Sequence, residues 1–266
     1  MNRGILEAHA AGTVSSVSAL VTAPGWDDAV RALRRLGASL GVGLHFNLTA
    51  GTPLSDRSGR GTGARTLVDA RTGRFHALPA LIARALAGRI DPAEVAAECA
   101  AQLVRLRDAG ATVTHLDGHR HVHVLPGVWR PVVETARAHG VTVVRVPLEP
   151  LATHLANWRA LLKKIALAAA WRVAAGPGAR PRHADRFYGL SLQGDAHFLE
   201  RLLALLDRLA PGTTELMVHP GYVDGGLAGW DDYTAPRVAE LAALTSAGVV
   251  ARFRSGRFRL VHFGAL

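Results

Sequence analysis

The chain has 266 residues, 49% hydrophobic and 20% charged, enough to bury one sizeable core and too apolar for a disordered chain. One cysteine, Cys99, excludes an internal disulfide; with no apolar leader in MNRGILEAHAAG and no uncharged run of about 18 apolar residues, a cytoplasmic protein without a membrane span is expected. The formal net charge of +10 comes from arginines scattered through amphipathic helices with few aromatics among them, which argues against a nucleic-acid partner and leaves a basic surface able to attract an anionic one.

In chain order, NRGILEAHAAG reads as an amphipathic helix leading into a β-branched strand, TVSSVSALVT. WDDAVRALRRLG reads as a helix with acidic residues in its first turn and Gly37 at its end, and GVGLHFNLTA as a short strand. Residues 50–76, rich in Gly, Thr, Ser and Arg, carry no period and read as a long loop, a candidate lid over substrate. Helices are expected over 77–88 and 91–109, the second opening on Asp91-Pro92. The strand ATVTHLD runs into a histidine-rich window, followed by a helix at 127–139, the strand VTVVRVP and a helix-rich connection over 150–176. RFYGLSL reads as a strand, 195–209 as a helix, TELMVHP as a strand, 234–247 as a helix and GVVARF as a strand. The alternation predicts the α/β class, with residues 1–266 forming a single domain of parallel β/α units closed as a (β/α) barrel.

Three strand ends carry the polar groups. His45, Asn47 and Thr49 share one face of GVGLHFNLTA, His115 and Asp117 one face of TVTHLDGH, and Glu215, Met217 and His219 one face of TELMVHPGY. In THLDGHRHVHVLPG, His115, Asp117, His119, His121 and His123 fall at every second position. Alternate residues of a strand lie about 7 Å apart and project the same way, so two such imidazoles can converge on one metal. Four cannot, because Gly118 and Pro126 break the strand; the others are expected to orient neighbours or contact substrate. Asp117 can hold an imidazole, cap a turn or serve as a base. Singly, His45 or His219 reads as a hydrogen-bonded structural residue, and it is the window that argues for a metal site.

Taken together, GVGLHFNLTAGTPLS, THLDGHRHVHVLPG and ELMVHPGY, in this order, resemble the YdjC/ChbG/HpnK family of carbohydrate deacetylases, and the resemblance runs through essentially the whole chain. It implies a barrel-like fold that binds a divalent metal and removes acetyl groups from N-acetylated sugars or oligosaccharides. Carried over by position, His45 and His119 resemble the metal ligands, and His219 the late active-site acid that protonates the departing amine. Asp117 is the residue best placed to orient a neighbour, and Asn47, Arg145 and His121 are the expected substrate contacts. The family resemblance implies Mg²⁺, while two imidazoles suit Zn²⁺. The partners expected are the acetylated sugar and, as an open option, a second copy of the chain.

One departure stands out. The family's opening strand ends in an Asn-Ala-Asp-Asp-Phe-Gly-like stretch whose acidic pair supplies a metal ligand and a base. Here the sequence begins after it, and neither Asp27-Asp28 nor Asp231-Asp232 has that context. The reading expects a missing first strand, an open strand edge beside residues 13–22, and a functional start upstream of Met1. It also expects either weak activity or a catalytically silent sugar- or metal-binding relative.

Overall fold

The computed structural model describes residues 1–36, 39–55, 63–153, 157–176, 180–223 and 233–266. Among the described residues five short strands, all paired in parallel, alternate with helices, which is the α/β class expected. β1 (Ser16–Ala19), β2 (Gly41–Phe46) and β3 (Val113–Gly118) form one sheet in that order, and β4 (Arg186–Tyr188) pairs with β5 (Thr214–Leu216) in a second. Between them the described residues make isolated parallel bridges, Leu116 to Val144 and Val143 to Arg182. Among the described residues the strands therefore do not close into one continuous barrel sheet. The segment VTVVRVP is too brief between Gly140 and Pro147 to extend the ladder, because proline supplies no amide hydrogen to it. β1 ends its sheet, pairing with β2 alone among the described strands.

The helices are α1 (Asn2–Ala10), α2 (Trp26–Leu36), α3 (Leu78–Leu86), α4 (Pro92–Asp108), α5 (Trp129–Ala138), α6 (Trp158–Ala174), α7 (Phe198–Leu206), α8 (Ala235–Leu244) and α9 (Ala247–Arg254). One expectation is overturned: GVVARF lies in α9 and is no strand. The Ser246 side chain accepts from the Val249 amide at 3.4 Å and caps the helix, Val249 is buried against α7 and α8, and Arg252 pairs with Asp207. Packing and the cap outweigh the weak β preference of two valines. Gly37 and the Asp231-Asp232 pair lie outside the described residues.

One core gathers β1–β3 with α4 and α5; a second gathers α1, α7, α8 and α9. Two acids of α4 tie the 50–76 segment down. Glu98 accepts the amides of Leu54 at 3.1 Å and Ser55 at 2.8 Å, and Glu94 those of Arg65 at 3.0 Å and Thr66 at 2.7 Å. Residues 56–62, the middle of the expected lid, lie outside the described residues.

A packing prediction arises where β2 meets β3. The His115 ring lies against Gly43, so that a methyl group at Gly43 would overlap it, and the ring is also stacked on Phe263 at 4.1 Å. Gly43→Ala should cost about 1–3 kcal/mol, the range for overpacking a tight core, read as a lowered unfolding midpoint in urea. A midpoint equal to the parent's would mean that the ring has room to move.

Candidate functional site

The parallel register sets His45 beside Asp117, and Asp117 organises what surrounds it. Its Oδ1 accepts from His45 Nδ1 at 2.7 Å, and its Oδ2 from Ser18 Oγ at 3.0 Å and from the Arg145 guanidinium. Arg145 also donates to Glu215 of β5 and lies over the Phe187 ring at 5.7 Å. Burial opposes the charge on Asp117, but Arg145 and His45 outweigh it and hold the carboxyl well below the usual carboxylate range. An ionised carboxylate only accepts, so His45 carries a proton on Nδ1 and turns its Nε2 outward. The position of β2's end is fixed from behind. Gln102 accepts from the Asn47 amide at 3.0 Å and donates to the Asn47 carbonyl at 2.8 Å.

Beyond Gly118 the chain leaves the strand abruptly. Arg120 and His121 take left-handed backbone angles, φ 52° and 59°, a conformation that costs non-glycine residues roughly 1–3 kcal/mol each. This pair breaks the alternation of the histidine window. His119 turns back toward β2, its Nδ1 3.3 Å from His45 Nε2 and the rings edge to face at 5.3 Å. His121 and His123 turn inward instead. His123 donates from Nε2 to the Arg145 carbonyl at 3.0 Å, and burial pushes its pKa down to about 4. His121 lies edge-on to Phe187 at 6.1 Å, and burial, with Lys163 and Arg145 nearby, holds it well below the ordinary histidine value. His115 is buried beneath the site, 3.1 Å from Ser18 Oγ, with its pKa pushed by burial to about 3.

His219 follows β5 and is held by Glu240 of α8, which is 1% exposed. One Glu240 oxygen accepts the His219 amide. The other receives the Tyr233 hydroxyl and lies 3.8 Å from His219 Nδ1. The His219 and Tyr233 rings meet edge to face at 5.2 Å. Burial lowers the His219 pKa, Glu240 opposes that, and Arg237 and His45 push it further down. Of the six histidines at these strand ends, His45, His119 and His219 are the partly exposed ones, while His115, His121 and His123 are buried.

The sequence of YdjC-like proteins matches this chain over residues 1–255. The chain belongs to the YdjC-like family. It is 33% identical to a carbohydrate deacetylase of Geobacillus stearothermophilus over 99% of this chain and 91% of that protein. It is 37% identical to a human carbohydrate deacetylase over 83% of this chain and 70% of that protein. A chitooligosaccharide deacetylase of Klebsiella pneumoniae is 33% identical over 97% of this chain and 90% of its own length. In fold the chain is similar to an Enterococcus faecalis protein whose crystal structure was named for cellobiose-phosphate cleavage. That match has a TM-score of 0.72 and 24% identity over 99% of this chain and 92% of the other.

In this YdjC-like chain the two expected metal ligands fit two corners of a coordination sphere. With metal–nitrogen bonds of about 2.0–2.1 Å, two imidazole nitrogens on a tetrahedral ion lie roughly 3.3 Å apart, the separation observed between His45 Nε2 and His119 Nδ1. Asp117 behind His45 is the kind of carboxylate that orients a ligating imidazole. Among the described residues, no group of three or more His, Cys, Asp or Glu side chains could hold a metal ion.

All three expected substrate contacts are buried. Asn47 is fully buried, its amide donating to Thr22 Oγ1 at 2.8 Å and the Ala50 carbonyl at 2.6 Å while accepting the Thr49 and Ala50 amides. It builds the turn after β2. His121 is 4% exposed, for the backbone reason given above. Arg145, also buried, spends its guanidinium on Asp117 and Glu215. The residues that sequence reasoning missed are Ser18, Glu215 as a partner of Arg145, Tyr233 and Glu240. A lone acid among the apolar residues of AELAAL was the one signal that could have found Glu240.

Proposed function

We propose that this protein hydrolyses the acetamide of N-acetylated sugars or oligosaccharides, with a divalent metal on His45 Nε2 and His119 Nδ1 and with His219 moving the protons. The observation that carries the reading is the His45–His119 pair at 3.3 Å, oriented by Asp117; the deacetylase relatives support the choice of substrate. When bound, the metal supplies a Lewis acid for the acetyl carbonyl and makes a coordinated water more acidic. Mg²⁺ is the ion the family resemblance implies, and Zn²⁺ the one two imidazoles favour.

Asp117 is 1% exposed, its carboxylate is bonded to His45, Ser18 and Arg145, and its pKa is depressed, so its part is to hold His45 in one tautomer. His219, its pKa lowered by burial, is unprotonated at neutral pH. It can take the proton of the attacking water and return it to the sugar nitrogen as the carbon–nitrogen bond breaks, leaving acetic acid and the amine, which exchange a proton to give acetate and ammonium. Glu240 steadies the imidazolium between those two transfers.

Incubation with N-acetylated chitooligosaccharides should release equal amounts of acetate and amine, with Mg²⁺ and Zn²⁺ supplied singly and lost again on chelation. A second reading, a silent relative that binds sugar or metal without turnover, is favoured by the lack of a third ligand among the described residues. Calorimetric binding of the same oligosaccharides with no acetate released would decide for it.

A further inference from the structure

Helix α6 buries charge on one side and exposes large apolar side chains on another. Lys164 is 3% exposed, its ammonium 3.2 Å from the Glu149 carboxylate and donating to the Thr153 carbonyl at 2.6 Å. Lys163 also turns toward the protein and donates to Gln193 at 2.6 Å. On the same helix Trp158 is 62% exposed, Leu162 57%, Ile165 48% and Val173 69%. Buried charge and exposed large apolar side chains are each informative departures from the usual pattern, and here one element carries both. At about 100° per residue, Trp158, Leu162, Ile165, Ala169 and Val173 fall within an arc of about 80°, and the stripe is about 22 Å long.

The edges of the stripe are basic. By the same helical geometry Arg159 flanks it on one side and Arg172 on the other, and no acidic residue occurs anywhere between Trp158 and Ala174. The Arg159 guanidinium sits over the exposed Trp158 ring at 5.4 Å, an aromatic and a cation together at one end. The helix is also firmly seated. Trp171 packs edge to face on Trp129 at 4.6 Å, and the Lys164–Glu149 pair is closed by Glu149 accepting the amides of Gly189, Leu190 and Ser191. The outer face is therefore preformed and need not fold upon contact.

We propose that the outer face of α6 docks the protein onto the surface of an anionic lipid bilayer. Apolar side chains flanked by arginines, with an interfacial tryptophan, are what a helix lying in the headgroup region requires. Among the described residues no helix is long and apolar enough to cross a membrane, so the contact is peripheral. A second copy fits this face poorly. Two copies packed through it would bring only arginines to the rim, with no carboxylate on either helix to offset them. The net charge of +10 likewise favours an anionic surface over another molecule of itself. The inference goes beyond the proposed hydrolysis and does not rest on it.

The test is flotation of the full chain with vesicles of phosphatidylcholine alone or mixed with phosphatidylglycerol. The protein should float with the mixed vesicles and stay behind with the neutral ones. The double variant Leu162→Ser, Ile165→Ser should lower the partition coefficient by about tenfold or more, and Arg159→Gln or Arg172→Gln by roughly fivefold each at low salt. All four side chains are exposed, and far-ultraviolet circular dichroism matching the parent's establishes that each variant is folded. Absence of binding to either vesicle overturns the proposal. So does binding that the serine variant leaves unchanged, which would move the contact to other basic surface. A dimer in light scattering that the serine variant dissociates, without vesicle binding, would assign the face to a second copy instead.

Discussion

His219→Ala should lower turnover of an N-acetylated oligosaccharide by ~10²–10⁴-fold, the usual loss when an acid–base group is removed, while metal affinity stays within about twofold. The reason is the placement of His219 after β5, its Nδ1 beside Glu240 and its ring against Tyr233, while the metal proposed above would be held by His45 and His119. Metal lost together with activity would make His219 a ligand, and unchanged turnover would remove it from the chemistry altogether.

The pH dependence has a definite sign. In the proposed chemistry the working form is the neutral imidazole, so the rate should rise with pH through the His219 pKa, which burial lowers from the ordinary value of 6.5. Glu240 opposes that lowering. Glu240→Gln removes the opposing charge and keeps an oxygen for the His219 amide, so the acid limb of kcat/KM should move to lower pH as kcat falls. A merely structural role for Glu240 would lower the amount of folded protein and leave the position of the limb where it was.

How far the sequence discloses this site depends on whether the information is local. His45, Asp117 and His119 could be grouped because two parallel strands with alternating faces bring their ends together, and β2 and β3 do so in register, His45 beside Asp117. The fates of His121 and His123 were not legible, since they turn on two residues, Arg120 and His121, in left-handed conformations that favour glycine and that neither residue type announces. Asn47 looked like a pocket residue by alternation, yet it lies beyond the last residue of β2 and forms the turn there. Glu240 and Ser18 reach the site from an outer helix and a neighbouring strand, so only the assembled fold reveals them. In the fold, alternating elements correctly signalled α/β. The reading failed at GVVARF, where a serine cap and one buried valine decide the outcome.

Asp117→Ala should do the most damage to the protein itself. It strips a buried, 1% exposed carboxylate of its contacts to His45, Ser18 and Arg145, leaving Arg145 with Glu215 alone. Removing one member of a buried charged cluster costs about 3–5 kcal/mol, because the charge left behind is no longer balanced. His45 would also lose the acceptor that fixes its tautomer, and metal affinity should fall about 10–100-fold, the range for loss of a carboxylate behind a ligating histidine. The folded-state pKa of Asp117 is depressed, so its contribution is present above the unfolded value of about 3.9 and is lost as pH falls through the folded one. The gap in unfolding free energy between parent and variant should thus be full at neutral pH and shrink only under strongly acidic conditions. Asp117→Asn separates the two effects, since its amide oxygen can still accept from His45 Nδ1 while the charge facing Arg145 is gone. It should recover part of the metal affinity and little of the stability. Equal stability of all three proteins at neutral pH would mean that the Arg145 cluster is balanced without Asp117.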